Sequence, residues 1–202
     1  MPTASRIAPR WPTCSKEEAD LFARISRAVR RRVRCWRALR EARDVTRRRL
    51  EAGPLRRVLV VCYGNIYRSP YVGEYLRQRA GKTLEVRTAG FHSKTGRESP
   101  AEHVAMCERR GVSLAAHRSS RVDADMLDWA DTIVFMDRKN WIALDEAGAD
   151  HDRFVWLGAL DGGPLEIPDP YGLPPEDAER IVARLTAAAN QLLDRAMRGA
   201  RQ

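Results

Sequence analysis

The sequence holds four cysteines in 202 residues, at 14, 35, 62 and 107, and only four histidines. No CxxC pair occurs, and no Cys/His spacing suits a structural metal. A disulfide-stapled or zinc-organised fold is therefore excluded, and free thiols in a reducing, cytoplasmic setting are expected. No apolar run approaches the roughly 18 residues that span a bilayer. The first twenty residues lack the apolar core of a secretory signal, so none is expected. There is no internal repeat. Hydrophobic residues at 44% and charged residues at 31% describe an ordinary folded chain.

Negative charge is scarce at one end only. Residues 1–54 carry 15 Lys and Arg against 6 Asp and Glu, which is the whole of the +9 net charge, while residues 55–202 carry 21 of each. The division expected is a basic helical extension over 1–54 and a neutral domain over 55–202. In the extension, Ser15 and Glu18 form a capping box. Leu21, Ile25, Val29, Val33, Trp36, Leu39, Ala42 and Val45 follow at three- or four-residue spacing as one apolar stripe among arginines. Gly53-Pro54 ends the segment. Such a helix either packs its stripe on the domain or on a second copy, or docks on an anionic membrane surface, an acidic partner protein or nucleic acid. Nucleic acid is the least supported, since no recognition motif accompanies the charge.

Beyond Leu55 the pattern alternates. Strands are expected near 56–62, 84–89, 131–136 and 153–157, and helices near 69–81, 100–111, 122–129, 138–147 and 175–198. This predicts an α/β fold: a doubly wound, four-stranded parallel sheet with flanking helices, plus the N-terminal basic amphipathic helix. Ligands of such sheets bind beyond the C-terminal strand ends, where Cys62 and Asp137 fall.

The stretch VLVVCYGNIYRSP, residues 58–70, runs a β-branched strand into Cys62, breaks at Gly64-Asn65, and restarts as a helix. Ser69 is expected near the cap, with Pro70 at the first helical position. Converging backbone N–H groups, a helix N-terminus, the Arg68 charge and a hydrogen bond from Ser69 would all favour the Cys62 thiolate over the thiol. The same features suit a phosphate, whose oxygens match a guanidinium fork. No GxxxxGK[ST] is present, so this is not a nucleotide P-loop. A bare Cys-x5-Arg is by itself equally a buried structural cysteine beside an exposed arginine.

VCYGNIYRSP resembles the phosphate-binding loop of the low-molecular-weight protein tyrosine phosphatases, whose pattern is V-C-x-G-N-I-C-R-S-P. RTAGFHSKTGRESP, GVSLAAHRSSRV, ADTIVFMDRKN and IPDPYG resemble further segments of that family, in order. The resemblance implies that Cys62 is the nucleophile forming a phosphocysteine, that Arg68 clamps the phosphoryl group, and that Tyr63, Gly64, Asn65, Ile66 and Tyr67 cradle it. Asn65 and Ser69 would hold the loop and the thiolate, Asp169 would be the general acid, Phe91 and Tyr171 would flank the substrate ring, and His117 would brace the loop through Asn65. Asp137 is expected as a strand-end cap or loop orienter, without a direct chemical role. No metal or cofactor is called for, because side chains supply nucleophile, clamp and acid. The implied partner is a phosphotyrosine-containing protein, a bacterial tyrosine kinase being the candidate.

The chain departs from the pattern at Tyr67, where the family usually has a second cysteine that protects the nucleophile. Ile66 favours aryl phosphates, since relatives acting on phosphoarginine tend to carry Thr there. An arsenate reductase-like enzyme would need two further relay cysteines after Cys62, and only Cys107 follows. A non-catalytic phospho-binding module working through the basic helix is the other alternative. Joint retention of Cys62, Arg68 and Asp169 argues against it.

Overall fold

In the computed structural model, which describes residues 16–199, the β-branched run at 58–61 lies in the central strand β1 (Arg57–Cys62). It is flanked by β2 (Glu85–Gly90) on one side and β3 (Thr132–Phe135) on the other, with β4 (Phe154–Trp156) beyond β3. All pairings are parallel, as in Val60 opposite Thr88 and Val134, and Val134 opposite Val155. The helices are α1 (Lys16–Glu51), α2 (Arg68–Ala80), α3 (Ala101–Glu108), α4 (Ala124–Trp129), α5 (Arg138–Glu146) and α6 (Pro175–Gly199).

Alternation along β1 sorts the core into two layers. Val58, Val60 and Cys62 pack with Tyr71, Val72 and Leu76 of α2 and Leu185 and Leu192 of α6. Leu59 and Val61 pack on the other face with Ala42 of α1, Trp141 and Leu144 of α5, and Phe135, Phe154 and Trp156. The chain leaves β1 towards β2, then crosses back to β3, so the direction reverses between β1 and β3. That switch point is where such sheets open a crevice.

Two expectations change. The helix after the Cys62 loop starts at Arg68, and Tyr67 occupies its cap position without a side-chain cap bond. Ser69 is inside the helix because its hydroxyl is drawn to Cys62 and Asn65 rather than to backbone N–H groups. The apolar stripe of α1 also splits. Cys35, Ala42 and Thr46 are buried, and Leu39 and Val45 partly so, whereas Leu21, Ile25, Val29, Val33 and Trp36 are exposed, as is Phe22. Ser15 of the capping box lies outside the described residues.

The second half of α1 is tied down by polar contacts as well. Thr46 Oγ1 accepts from the Trp156 N–H at 3.0 Å. Arg49, 8% exposed, donates to the Asp131 carbonyl at 2.9 Å and to Thr132 Oγ1 at 2.8 Å, and pairs with the Asp131 carboxylate at 3.2 Å. That carboxylate also accepts the Arg57 N–H at 2.8 Å, so one residue fastens α1 to the starts of β1 and β3. Packing thus crosses residue 54, where helix gives way to sheet. Arg49→Ala should destabilise the protein by about 1–3 kcal/mol, since it strips donors from buried acceptors. Urea unfolding followed by circular dichroism measures this, and an unchanged midpoint would refute it.

Candidate active site

The segment 63–67 turns between the end of β1 and the start of α2, and its carbonyls are claimed from outside. Tyr63 O accepts the N–H groups of Phe91 at 2.8 Å and His92 at 3.0 Å. Gly64 O accepts Arg97 Nη2 at 2.6 Å. Asn65 O is bonded by His117 Nε2 at 2.7 Å, and Tyr67 O by His103 Nε2 at 3.0 Å. A carbonyl only accepts, so both imidazoles carry their hydrogen on Nε2 there. Burial holds both histidines below the ordinary imidazole pKa, against the opposing effect of the carbonyls, so they act as neutral donors. Each trans peptide directs its N–H opposite its C=O, so four tethered carbonyls turn the following N–H groups to the side away from these partners.

Asn65 sits at φ +50°, the only positive φ outside glycine among the described residues. Asn tolerates this left-handed conformation better than most side chains. Its amide is used at both ends: Oδ1 accepts the Ser120 N–H at 2.9 Å, and Nδ2 donates to Ser69 Oγ at 2.9 Å. Ser69 Oγ lies 3.1 Å from Cys62 Sγ. With Asn65 donating to it, the hydroxyl keeps its own hydrogen, for which the sulfur and the Ala89 carbonyl at 3.4 Å are the two acceptors. Cys62, Asn65 and Ser69 are all buried. Gly90, at the end of β2, lies under the loop. A Cβ there would stand 2.7 Å from Tyr63 O and 2.9 Å from the Asn65 nitrogen.

Arg68 opens α2 and is 1% exposed. Its Nη1 pairs with Asp137 at 2.6 Å and donates to Ile167 O at 3.0 Å; its Nη2 pairs with Asp169 at 2.7 Å. Nε is buried without a partner among the described residues. Burial would lower the guanidinium pKa, but Cys62, Asp169 and Asp137 together hold it raised, so the charge is secure. Asp137 also caps α5 by accepting the Asn140 N–H at 2.8 Å. Asp169 stands between Pro168 and Pro170, and its Oδ1 accepts the Tyr171 N–H at 3.2 Å. The site thus sits at the β1/β3 switch point, with a thiol, a guanidinium and a carboxylate around one helix N-terminus.

Two aromatic pairs stand at the loop. Tyr63 meets His92 edge-on at 5.8 Å, and Tyr67 meets Tyr171 edge-on at 6.1 Å. Tyr171 is 73% exposed. Tyr67 is buried, packs on His103 at 4.8 Å, and donates to Glu102 at 3.3 Å. Burial and the Glu102 carboxylate push its phenol up to about 12. Phe91 is half-buried against the core layer of Leu59 and Val61, and Ile66 is half-buried in the loop.

Arg97, His103 and Gly90 were not expected at the loop, whereas Asp137, expected as a strand-end cap or loop orienter, both caps α5 and pairs with Arg68. Arg97 and His103 reach the loop from 33 and 36 residues away, so local pattern carries no signal for them. His103 and Cys107, four residues apart on α3, are in buried contact at 3.4 Å. Among the described residues no cluster of His, Cys, Asp and Glu could hold a metal ion, and no helix is long and apolar enough to cross a membrane.

The family model of low molecular weight phosphotyrosine protein phosphatase matches residues 57–201. A protein-arginine-phosphatase of Geobacillus stearothermophilus is 31% identical over 122 residues, 59% of this chain and 82% of that protein. The low molecular weight protein-tyrosine-phosphatase Etp of Escherichia coli is 30% identical over 146 residues, covering 70% of this chain and 95% of that protein. Among solved structures, the Erwinia amylovora tyrosine phosphatase amsI superposes with a TM-score of 0.65 at 26% identity, over 69% of this chain and 92% of that one.

Two outcomes are expected from this geometry. Gly90→Ala should cost about 1–3 kcal/mol of stability by overpacking and should deform the loop. Weakened binding of inorganic phosphate in a folded variant, measured by calorimetry, checks it; wild-type affinity would refute it. The second concerns oxidation. Cys107 is held against His103, and burial pushes its thiol up to about 12, so it is a poor resolving partner for an oxidised Cys62. Prolonged peroxide should therefore take Cys62 to sulfinic acid, with activity not restored by dithiothreitol. A Cys62 disulfide with any other cysteine in a non-reducing peptide map would overturn this.

Proposed function

The chain belongs to the low molecular weight phosphotyrosine protein phosphatase family, and on that premise we propose that it hydrolyses phosphotyrosine in proteins through a phosphocysteine intermediate. The observation that carries the reading is the joint placement of Cys62, Arg68 and Asp169, with Arg68 bonded to Asp169 at 2.7 Å and Ser69 set 3.1 Å from the sulfur. In the first step the Cys62 thiolate attacks phosphorus and the bond to the phenolic oxygen breaks. Asp169 donates its proton to the departing oxygen, which makes a phenol of a poor leaving group. Loop N–H groups and the Arg68 fork hold the equatorial oxygens, where charge resides during transfer. In the second step water attacks phosphorus, Asp169 takes its proton, and the thiolate leaves with inorganic phosphate in solution.

Because Asp169 occupies one arm of Arg68, an arriving phosphate must take that arm over. This releases the carboxylate to face the ester oxygen. His117 and Asn65 support the loop rather than the substrate. Phe91 and Tyr171 are proposed to flank the substrate ring, and the exposure of Tyr171 beside Tyr67 supports an aryl ligand.

The protein-arginine-phosphatase relative favours a second reading, hydrolysis of phosphoarginine. Ile66 is the residue on which the two differ. A branched apolar side chain at the loop favours aryl phosphates. The partner is then a phosphotyrosine-bearing protein, with a bacterial tyrosine kinase as the candidate.

Wild-type protein should hydrolyse p-nitrophenyl phosphate and a phosphotyrosine peptide. Cys62→Ser should be inactive, and Asp169→Asn should lose about 10²–10⁴-fold in kcat, the range for general acid catalysis. Ile66→Thr should move selectivity towards phosphoarginine. Preference of the wild type for phosphoarginine over phosphotyrosine would replace the tyrosine reading with the second one. A folded, reduced protein that hydrolyses neither would leave the loop as a binding site only.

A further inference from the structure

Helix α1 is 36 residues long, yet none of its described side chains from 16 to 34 is buried. This half nevertheless holds Leu21, Phe22, Ile25, Val29, Val33 and, one turn on, Trp36, each exposed. An α-helix advances about 100° per residue, so the four-residue steps from Leu21 to Val33 drift by about 40° each and keep these side chains on one face. The following three-residue steps, Trp36 to Leu39 to Ala42 to Val45, turn back by about 60° each and carry the stripe round onto the sheet. The first half therefore presents its apolar face away from the side that Arg31 and Arg34 use to pair with Glu146 and Asp145 of α5. It is not a packing surface for this domain.

The charge on the same stretch decides what covers it. Residues 21–40 contain eight arginines and no acidic residue. A second copy laid on the stripe would bring two such sets together, a repulsive arrangement with no compensating carboxylate. A coiled-coil partner covers only the narrow seam of a 3–4 alternation. The exposed stripe is broader than such a seam: the steps from Leu21 to Val33 spread it over about 120° of the helix, and Arg32 falls within it. A lipid interface imposes no such spacing, and a long arginine among apolar neighbours can extend its charge to the headgroups. The guanidinium of Arg40 already lies over the Trp36 ring at 4.5 Å.

We propose that residues 21–36 of α1 form a docking surface for an anionic lipid bilayer, with the apolar stripe seated at the headgroup–acyl boundary and the arginines among the headgroups. The helix lies in the interface plane, and the domain of residues 55–199 stays in water. The docking is independent of the catalytic reading, since no stripe residue contacts the Cys62 loop among the interactions described.

The test is co-sedimentation of the full chain with phosphatidylcholine vesicles, with and without phosphatidylglycerol. Binding to the anionic vesicles should exceed binding to neutral ones at least about tenfold and weaken with salt. Ile25→Asp/Val29→Asp, at two exposed positions outside the core, should abolish it while leaving p-nitrophenyl phosphate hydrolysis unchanged. Binding that survives this double substitution would overturn the proposal in favour of charge adsorption alone. A stable dimer in light scattering that the double substitution dissociates, without vesicle binding, would overturn it in favour of a second copy. A monomer that binds neither vesicle would overturn it in favour of a protein partner.

Discussion

The constraint on which the site depends is the outward tethering of the 63–67 carbonyls. A short loop between a buried strand and a helix would ordinarily satisfy its carbonyls with its own N–H groups or with water. Here Arg97, His103, His117 and the backbone N–H groups of Phe91 and His92 take them instead. Donors left over on the other side of the peptides form a surface that an anion completes. The absence of a side-chain cap on α2 belongs to the same arrangement. A serine or aspartate cap would have satisfied the first helical N–H groups and competed with any phosphate for them.

Arg68 adds a buried permanent positive charge, and its burial sets the terms for its neighbours. A guanidinium 1% exposed has to be paired, because an uncompensated charge in that position would cost several kcal/mol. Two carboxylates share the task unequally. Asp137 is engaged on both oxygens, by Arg68 and by the α5 N-terminus, and its side chain is 15% exposed. Asp169 is 38% exposed and held on its other oxygen by a neighbouring backbone N–H. The first is a fixed counter-charge. The second is the more exposed, and the prolines on either side restrict its backbone. On the proposed reading, a phosphate takes Arg68 over from the more exposed Asp169, while Asp137 keeps the guanidinium neutralised.

Much of this was legible in the sequence, and what was not has a common cause. The central strands β1 and β3 follow from β-branched runs, the parallel sheet from the alternation of strands with helices, and the order of Cys62, Arg68 and Asp169 from short motifs. Ser69 was read as a cap because Ser-Pro usually opens a helix. Its hydroxyl is instead committed to the sulfur and to Asn65, contacts that only the loop's closure creates. Arg97 and His103 could not be found locally, since each acts through a single hydrogen bond to a backbone atom more than thirty residues away. Cys62, Arg68 and Asp169 fall in short motifs, whereas the side chains that hold the loop backbone in place come from wherever the fold brings them.

The first helix obeys the same separation of pattern from context. A periodic apolar stripe signals that something covers it, but periodicity alone does not say what, and a shift from four-residue to three-residue steps moves the face by a large part of a turn. The second half of α1 completes the sheet's outer layer, with Ala42 and Cys35 among the core and Arg49 clamped to Asp131. The first half keeps side chains that would each gain about 1.5–3 kcal/mol on burial. Six such residues on one helix face form an apolar strip of the kind that marks an interaction surface rather than chance exposure. Eight arginines without a carboxylate among them keep that strip from closing on another copy of itself. The charge that holds the helix apart from its own kind is thus the charge that an acidic interface would neutralise.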